Sequence, residues 1–355
     1  MASMLFRRVV PPCVGSLKAL STVPTARVHS RPVKNLSYGW WAYILGEETL
    51  PRFNKNSKIF TIEGNLASGK GALAQKLADE YGMLYMPEPD VYYLNVFFEN
   101  DVPLKKEFHG NCCLETFYLD PKASDGNSYR LQHWMYVMRY LQYAKAVEHL
   151  LATGQGVILE RSPFSDKVFL ESMFKEGYIH KRCFDHYYTV RGNSIDRFLH
   201  PHLVIYLDVP AEDVQKKLKE SEKPYLQNVS LSYLKGIETA YKTKVLPEIS
   251  KESELLRYDP IEVQDLEKIL EDIDSLTFKK GHWHEQNNHS FHYMRMFVQD
   301  TNKILPLVHL PIYLPEITMS AHETDAFWTT FRSLPGQKYA KGYNADVGDK
   351  YIWLK

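Results

Sequence analysis

The sequence predicts an α/β protein, a parallel sheet covered by helices on both faces and organised around a phosphate-binding loop. Three observations predict it. The glycine loop Gly64-Asn65-Leu66-Ala67-Ser68-Gly69-Lys70-Gly71 stands directly between an apolar run and a segment of helical periodicity. Short apolar runs without polar alternation recur along the chain, separated by longer segments, which is the pattern of strands buried on both faces by crossover helices. The composition is that of an ordinary globular chain, 355 residues with 44% hydrophobic content. That length supports a large core and about two structural units.

The elements follow in order. Lys58-Ile59-Phe60-Thr61-Ile62-Glu63 reads as a buried strand ending at Gly64. From Gly71 to Tyr81, Leu73 and Leu77 recur at helical spacing beside Ala74 and Ala78, and Gly82 stands where a helix stops. Met83-Leu84-Tyr85-Met86 is a short second strand, and Ser128 to Leu151 is a long helix stopped by Thr153-Gly154. Gly156-Val157-Ile158-Leu159 and Leu203-Val204-Ile205-Tyr206-Leu207 are the third and fourth strands, and a charged helix follows Pro210. Leu255-Leu256-Arg257-Tyr258 is a candidate fifth strand. Beyond about residue 280 the chain changes to aromatics, histidines and prolines, then Gly336, Gly342 and Gly348, and is expected to be an irregular extension.

The first segment has its own composition. Arg7, Arg8, Lys18, Arg27, Arg31 and Lys34 all precede the first acidic residue, Glu47. An acid-free, basic stretch is the composition of a mitochondrial transit peptide, expected over residues 1–35 with Arg27-Val28-His29-Ser30 as the processing region; a basic tail without an address is the alternative. Residues 36–56, with Tyr38, Trp40, Trp41 and Tyr43, read as an aromatic linker. Lys+Arg and Asp+Glu are both 43, so no basic footprint points to nucleic acid. No run approaches the roughly 18 apolar residues that cross a bilayer. After Cys13, only Cys112, Cys113 and Cys183 remain, an odd set read as reduced packing thiols.

G-x-x-x-x-G-K is specific when it follows a strand and opens a helix, as here. Its backbone N–H groups turn onto phosphate oxygens, the helix N-terminus adds positive potential, and Lys70 reaches the outer phosphates. A nucleotide, ATP or a deoxynucleotide, is the expected cofactor, bound by Gly64, Asn65, Leu66, Ala67, Ser68, Gly69, Lys70 and Gly71. The position after the lysine should offer a hydroxyl to magnesium and here is Gly71. Nucleotide binding and catalysis are therefore separate questions, and the place of magnesium is left open. No flavin fingerprint and no iron–sulfur cysteine spacing occurs.

Further polar residues stand at strand ends: Glu88 after the second strand, and Glu160-Arg161-Ser162 after the third. In an open parallel sheet these ends surround the same crevice as the phosphate loop. Gln132 and Arg139 are seven apart on one helix, which puts them on one face. Alone, they read better as surface residues interrupting an apolar stripe. Together with the loop, this set resembles the deoxyribonucleoside kinases over about residues 57–278, and implies a P-loop kinase-type domain. The resemblance implies Glu88 as the general base, Glu160 and Arg161 as the metal-side acid and phosphate-side arginine, and Gln132, Arg139 and Asp166 as nucleoside-pocket residues. The family's arginine-rich lid has no counterpart: Lys216-Lys217-Leu218-Lys219-Glu220-Ser221-Glu222-Lys223 carries no arginine. Lysine does not reproduce the planar fork of arginine, and an arginine on the transferred phosphoryl group is worth about a thousandfold or more. The catalytic residues are accordingly expected to be vestigial.

Longer blocks narrow the resemblance: Ser124 to Gln132, Gly154 to Ser162, and Tyr343 to Lys350. With the transit peptide they resemble the nucleoside-kinase-like accessory subunits of mitochondrial respiratory complex I, the NADH dehydrogenase. That resemblance implies a non-catalytic, matrix-side subunit with a structural or assembly role, other complex I subunits as partners, and residues 279–355 as a docking extension; packing of that extension over its own core is the equal alternative. An active mitochondrial deoxynucleoside kinase and a nucleotide-gated assembly factor remain the competing functions. His282, His284, His289 and His292 lack the companion ligands of a zinc site and are expected at the surface or an interface; no metal is assigned.

Overall fold

The computed structural model describes residues 38–94, 111–310, 314, 316 and 326–330. The expected transit peptide and the Tyr343–Lys350 block lie outside these residues, as do Gly336, Gly342 and Gly348.

Five strands, β1 (Ile59–Gly64), β2 (Leu84–Met86), β3 (Val157–Glu160), β4 (Leu203–Leu207) and β5 (Glu254–Tyr258), pair in parallel in the order β2-β3-β1-β4-β5. The three inner strands are buried nearly throughout, which explains their continuous apolar sequence, and the expected fifth strand takes its place at the sheet edge. The helices are α1 (Trp40–Ile44), α2 (Lys70–Tyr81), α3 (Leu114–Leu119), α4 (Asn127–Thr153), α5 (Lys167–Lys175) and α6 (Lys181–Ser194). They continue with α7 (Ala211–Lys219), α8 (Leu231–Ala240), α9 (Leu246–Ile249), α10 (Leu266–Ser275), α11 (Asn288–Val298) and α12 (Thr301–Val308). Since β1 lies between β3 and β4, its carboxyl end is where chain connections diverge, the usual place for a ligand crevice in such sheets.

Helix α2 buries Leu73, Ala74, Leu77 and Ala78, as the spacing predicts. Helix α4 is buried on nearly every side, with Tyr136, Val137, Met138, Tyr140 and Leu141 all in the core, so its sequence shows little amphipathic contrast. It ends at Gly154, whose left-handed φ of 75° and close approach to Arg52 O, 2.1 Å from where a Cβ would sit, exclude a side chain.

The extension corrects two expectations. Residues 288–298 and 301–308 are helical, not irregular. Helix α11 starts with a reciprocal cap, in which Ser290 N donates to Asn287 Oδ1 at 2.9 Å and Asn287 N donates to Ser290 Oγ at 2.9 Å. Its buried positions Phe291, Arg295 and Val298 then follow helical spacing. Phe291, Trp283 and Trp328 of the extension also turn inward, while Tyr293 stays exposed. Phe291 packs on Phe53, Trp283 Nε1 donates to His200 O at 2.7 Å, and Trp328 stacks on Trp134 with ring centroids 6.1 Å apart. His292, expected at the surface or an interface, is fully buried within the chain, and its Nδ1 pairs with Tyr38 OH at 2.8 Å, because the linker folds back on α11. His282, His284 and His289 are exposed. Cys113 is exposed as well, which removes it from the packing thiols, while Cys183 is buried. Among the described residues no helix is long and apolar enough to cross a membrane.

Candidate phosphate and nucleoside site

The apolar β1 delivers the chain to Gly64, and left-handed turns at Ala67 and Gly69 bring it into α2 at Lys70. Asn65 anchors the loop: its Nδ2 donates to Leu234 O in α8 at 3.0 Å, and its Oδ1 accepts from Leu66 N at 2.9 Å. Lys70 is buried, and its Nζ donates to Asn65 O at 2.9 Å, with Ser68 Oγ at 3.5 Å. No described carboxylate forms an ion pair with it. Burial, with Arg161 nearby, lowers its pKa from the ordinary lysine value to about 7. A buried ammonium held by neutral oxygens at a helix N-terminus is an anion site in electrostatic terms. The loop therefore fits the phosphates of a nucleotide.

The structure brings Glu88, Gln132, Arg139, Arg161 and Asp166 into one network beside this loop. Arg161, fully buried at the end of β3, donates to Gly64 O at 2.9 Å and Asn65 O at 3.2 Å. Its Nη1 reaches Glu88 Oε1 at 3.4 Å, and Arg139 Nη2 reaches the same oxygen at 2.7 Å. Burial alone would raise Glu88, but Arg161, Arg139 and Lys70 together hold it at about 2. Asp166 is fully buried and accepts from Gln132 Nε2 at 2.7 Å, from Arg139 and from Tyr187 OH. Its burial pushes its pKa up against the pull of Arg139. With Gln132 2% and Arg139 5% exposed, neither is a surface residue.

Glu160 sits differently. Its Oε1 accepts from Tyr85 OH, and a Cβ built on Gly71 would meet that oxygen at 2.8 Å and Tyr85 OH at 3.3 Å. The space of the absent hydroxyl-bearing side chain is closed by the Tyr85–Glu160 pair. The position after Lys70 offers no hydroxyl and the nearest carboxylate oxygen already accepts from Tyr85, a poor fit to the magnesium of a working phosphoryl-transfer site. The lysine-rich segment after Pro210 is a solvated helix face: α7 buries Ala211, Val214 and Leu218, while Lys216, Lys217 and Lys219 are exposed.

Four participants escaped the sequence reading: Glu63, Tyr85, Phe169 and Tyr187. The Glu63 carboxylate, buried in β1, accepts from Ser162 Oγ at 2.9 Å and Tyr241 OH at 3.1 Å. An acid inside an otherwise apolar strand was the signal that could have found it. Phe169 lies against both guanidinium groups, its ring centroid 4.6 Å from Arg161 Cζ and 5.0 Å from Arg139 Cζ. No local pattern marks Phe169, Tyr85 or Tyr187.

Residues 60–299 match the family profile described as deoxynucleoside kinase. The chain is 46% identical over 348 residues, 98% of each chain, to the mitochondrial NADH dehydrogenase (ubiquinone) 1 alpha subcomplex subunit 10 of Bos taurus. It is 29% identical over 230 residues, 65% of this chain and 73% of that protein, to a deoxyguanosine kinase of Dictyostelium discoideum. Among solved structures, a deoxyadenosine kinase from M. mycoides with bound dATP aligns with 61% of this chain and 100% of its own, at 16% identity and a TM-score of 0.47.

Proposed function

This chain belongs to the deoxynucleoside kinase family and, within it, to the alpha subcomplex subunit 10 proteins of mitochondrial NADH dehydrogenase, and from that membership we propose a non-catalytic accessory subunit of complex I. Its place is the matrix side, against other subunits of the complex, and its kinase fold serves as a nucleotide-stabilised building block. The observation that carries this reading is a division within one loop. Lys70 keeps a buried cradle for phosphate, while the next residue, Gly71, has lost its hydroxyl and faces the closed Tyr85–Glu160 pair.

The rest of the site agrees. A carboxylate held near 2 by two guanidinium groups accepts a substrate proton poorly, which leaves Glu88 a weak base. The same two arginines, held against the buried Phe169 ring, give the site the positive charge that a nucleotide's phosphates use. Binding without turnover follows: the phosphates meet Lys70 and the loop amides, and the base meets Gln132 and Asp166.

Two measurements test this. Native separation of mitochondrial complexes should recover the chain with intact complex I; recovery only as a small free oligomer would sink the subunit reading, and recovery only with assembly intermediates would favour the nucleotide-gated assembly factor. The purified chain, given ATP, magnesium and a panel of deoxynucleosides, should bind nucleotide without phosphoryl transfer. Lys70-dependent phosphorylation would instead establish the kinase.

A further inference from the structure

We infer that His180, Cys183 and Glu316 form a binding site for a divalent zinc ion, away from the phosphate loop. Cys183 Sγ lies 3.5 Å from His180 Nε2, which pairs with Glu316 Oε1 at 2.5 Å, and the donor atoms of all three lie within 4.8 Å of one another. One nitrogen, one sulfur and one carboxylate oxygen are a donor set that suits zinc, filling three positions of a tetrahedron and leaving the fourth for water.

Several features distinguish this cluster from a surface ion pair. His180 caps α6 and Cys183 follows three residues later, so both side chains project from the same first turn. Cys183 is fully buried, whereas His180 is exposed. Glu316 Oε2 is buried with no N–H or O–H donor on it, and the Cys183 thiol is the neighbour that interacts with this carboxylate, so a cation can take the place of the thiol proton between them. Glu316 is also held from its backbone: Arg130 Nη1 donates to its carbonyl at 3.0 Å, and its Cα lies 2.7 Å from where a Cβ on Gly126 would be. The carboxylate is thus presented to α6 by contacts that do not involve the ion.

Donors around a tetrahedral zinc lie about 3.3–3.6 Å apart, given bonds of about 2.0–2.3 Å. The sulfur–nitrogen separation already matches. The nitrogen–oxygen pair must open by about 1 Å, which the exposed His180 ring accommodates by rotation. Binding releases the Cys183 thiol proton and any proton shared by His180 and Glu316, leaving thiolate, neutral imidazole and carboxylate as ligands. The ion then ties residue 316 of the extension to α6, across the start of the helix that carries Gln132 and Arg139.

The test uses the purified full chain, with zinc and cobalt(II) as probes. Elemental analysis should find one zinc per chain, and cobalt(II) should give a thiolate-to-metal absorption that Cys183→Ser abolishes. His180→Ala, at an exposed side chain, and Glu316→Gln, which keeps the side chain's size, each remove one ligand and should each weaken zinc binding about tenfold or more in chelator competition. A chelator should lower the melting temperature of the parent chain and leave the double variant unmoved. No stoichiometric zinc, cobalt(II) bound without the thiolate absorption, or zinc binding unchanged in the His180→Ala/Glu316→Gln variant would each overturn the site. The His180→Ala and Glu316→Gln variants keep the test decisive where Cys183→Ser fails to fold.

Discussion

Lys70 carries an ammonium into the interior with only neutral oxygens bonded to it, and its protonation therefore reports on phosphate. Its pKa falls from 10.5 to about 7 on folding. Between those values the folded chain binds fewer protons than the unfolded one, so the destabilisation by Lys70 is full below about pH 7 and is relieved as pH rises toward 10.5. A bound polyphosphate restores the proton. Titration calorimetry near pH 7.5 in buffers of different ionisation enthalpy should show proton uptake on nucleotide binding, and Lys70→Met should abolish it. Glu88 has the opposite sign: its depressed pKa adds stability above about pH 4.5 that is lost as pH falls toward 2. Arg139, shared between Glu88 and the fully buried Asp166, cannot be removed without leaving a buried carboxylate short of its counter-ion. Arg139→Met should cost about 3–5 kcal/mol in urea unfolding, and a change below about 1 kcal/mol would show that the network is not a buried ion pair in solution. Gly71→Ser must displace the Glu160 carboxylate or the Tyr85 hydroxyl. Nucleotide affinity should become magnesium-dependent only in the Gly71→Ser/Tyr85→Phe pair, compared with and without chelator.

At the scale of elements, the end of α4 and the start of α11 are set by different local chemistry. Gly154 closes α4 in a left-handed conformation against Arg52 O, so Gly154→Ala combines a backbone penalty with a backbone collision. A loss of about 2 kcal/mol or more is expected in thermal melts. The α11 cap is a polar exchange between Asn287 and Ser290. Asn287→Ala should lower stability by about 1 kcal/mol, seen as earlier fraying of α11 amides in hydrogen exchange. The helix escaped the sequence reading because its cap is not the usual Ser/Thr-to-Glu pair and its core face mixes Phe291 and Val298 with His292 and Arg295. The strands were legible because burial on both faces writes an unbroken apolar run, whereas α11 is apolar on one side only.

For the whole molecule, linker and extension close on each other over the kinase-type core. Tyr38 bonds His292, Arg295 stands 3.9 Å over the Tyr38 ring and pairs with Glu47, and Trp328 covers Trp134. Deleting residues 279–355 should expose this apolar surface and make the chain associate; a monomer with unchanged cooperative melting would show that the extension is not part of the core. Nucleotide at a hundred times its Kd should stabilise the intact chain by about 2.7 kcal/mol, and Lys70→Ala should remove most of that increment.

The sequence by itself determined the α/β class, the parallel strands, the phosphate loop and the missing hydroxyl at Gly71, because each is written in local spacing or in a short motif; Glu88, Arg139, Arg161 and Asp166 were named through the family resemblance, and the structure brings them into one network. Only the tertiary structure decided that Tyr85 fills the space beside Gly71, that Glu63 and Phe169 belong to the site, and that His292 is interior. It also decided that His180, Cys183 and Glu316 meet. The physical reason is separation along the chain: Tyr85 and Glu160 are 75 residues apart, and His180 and Glu316 are 136 apart. No periodicity records which residues a folded chain brings together across such distances.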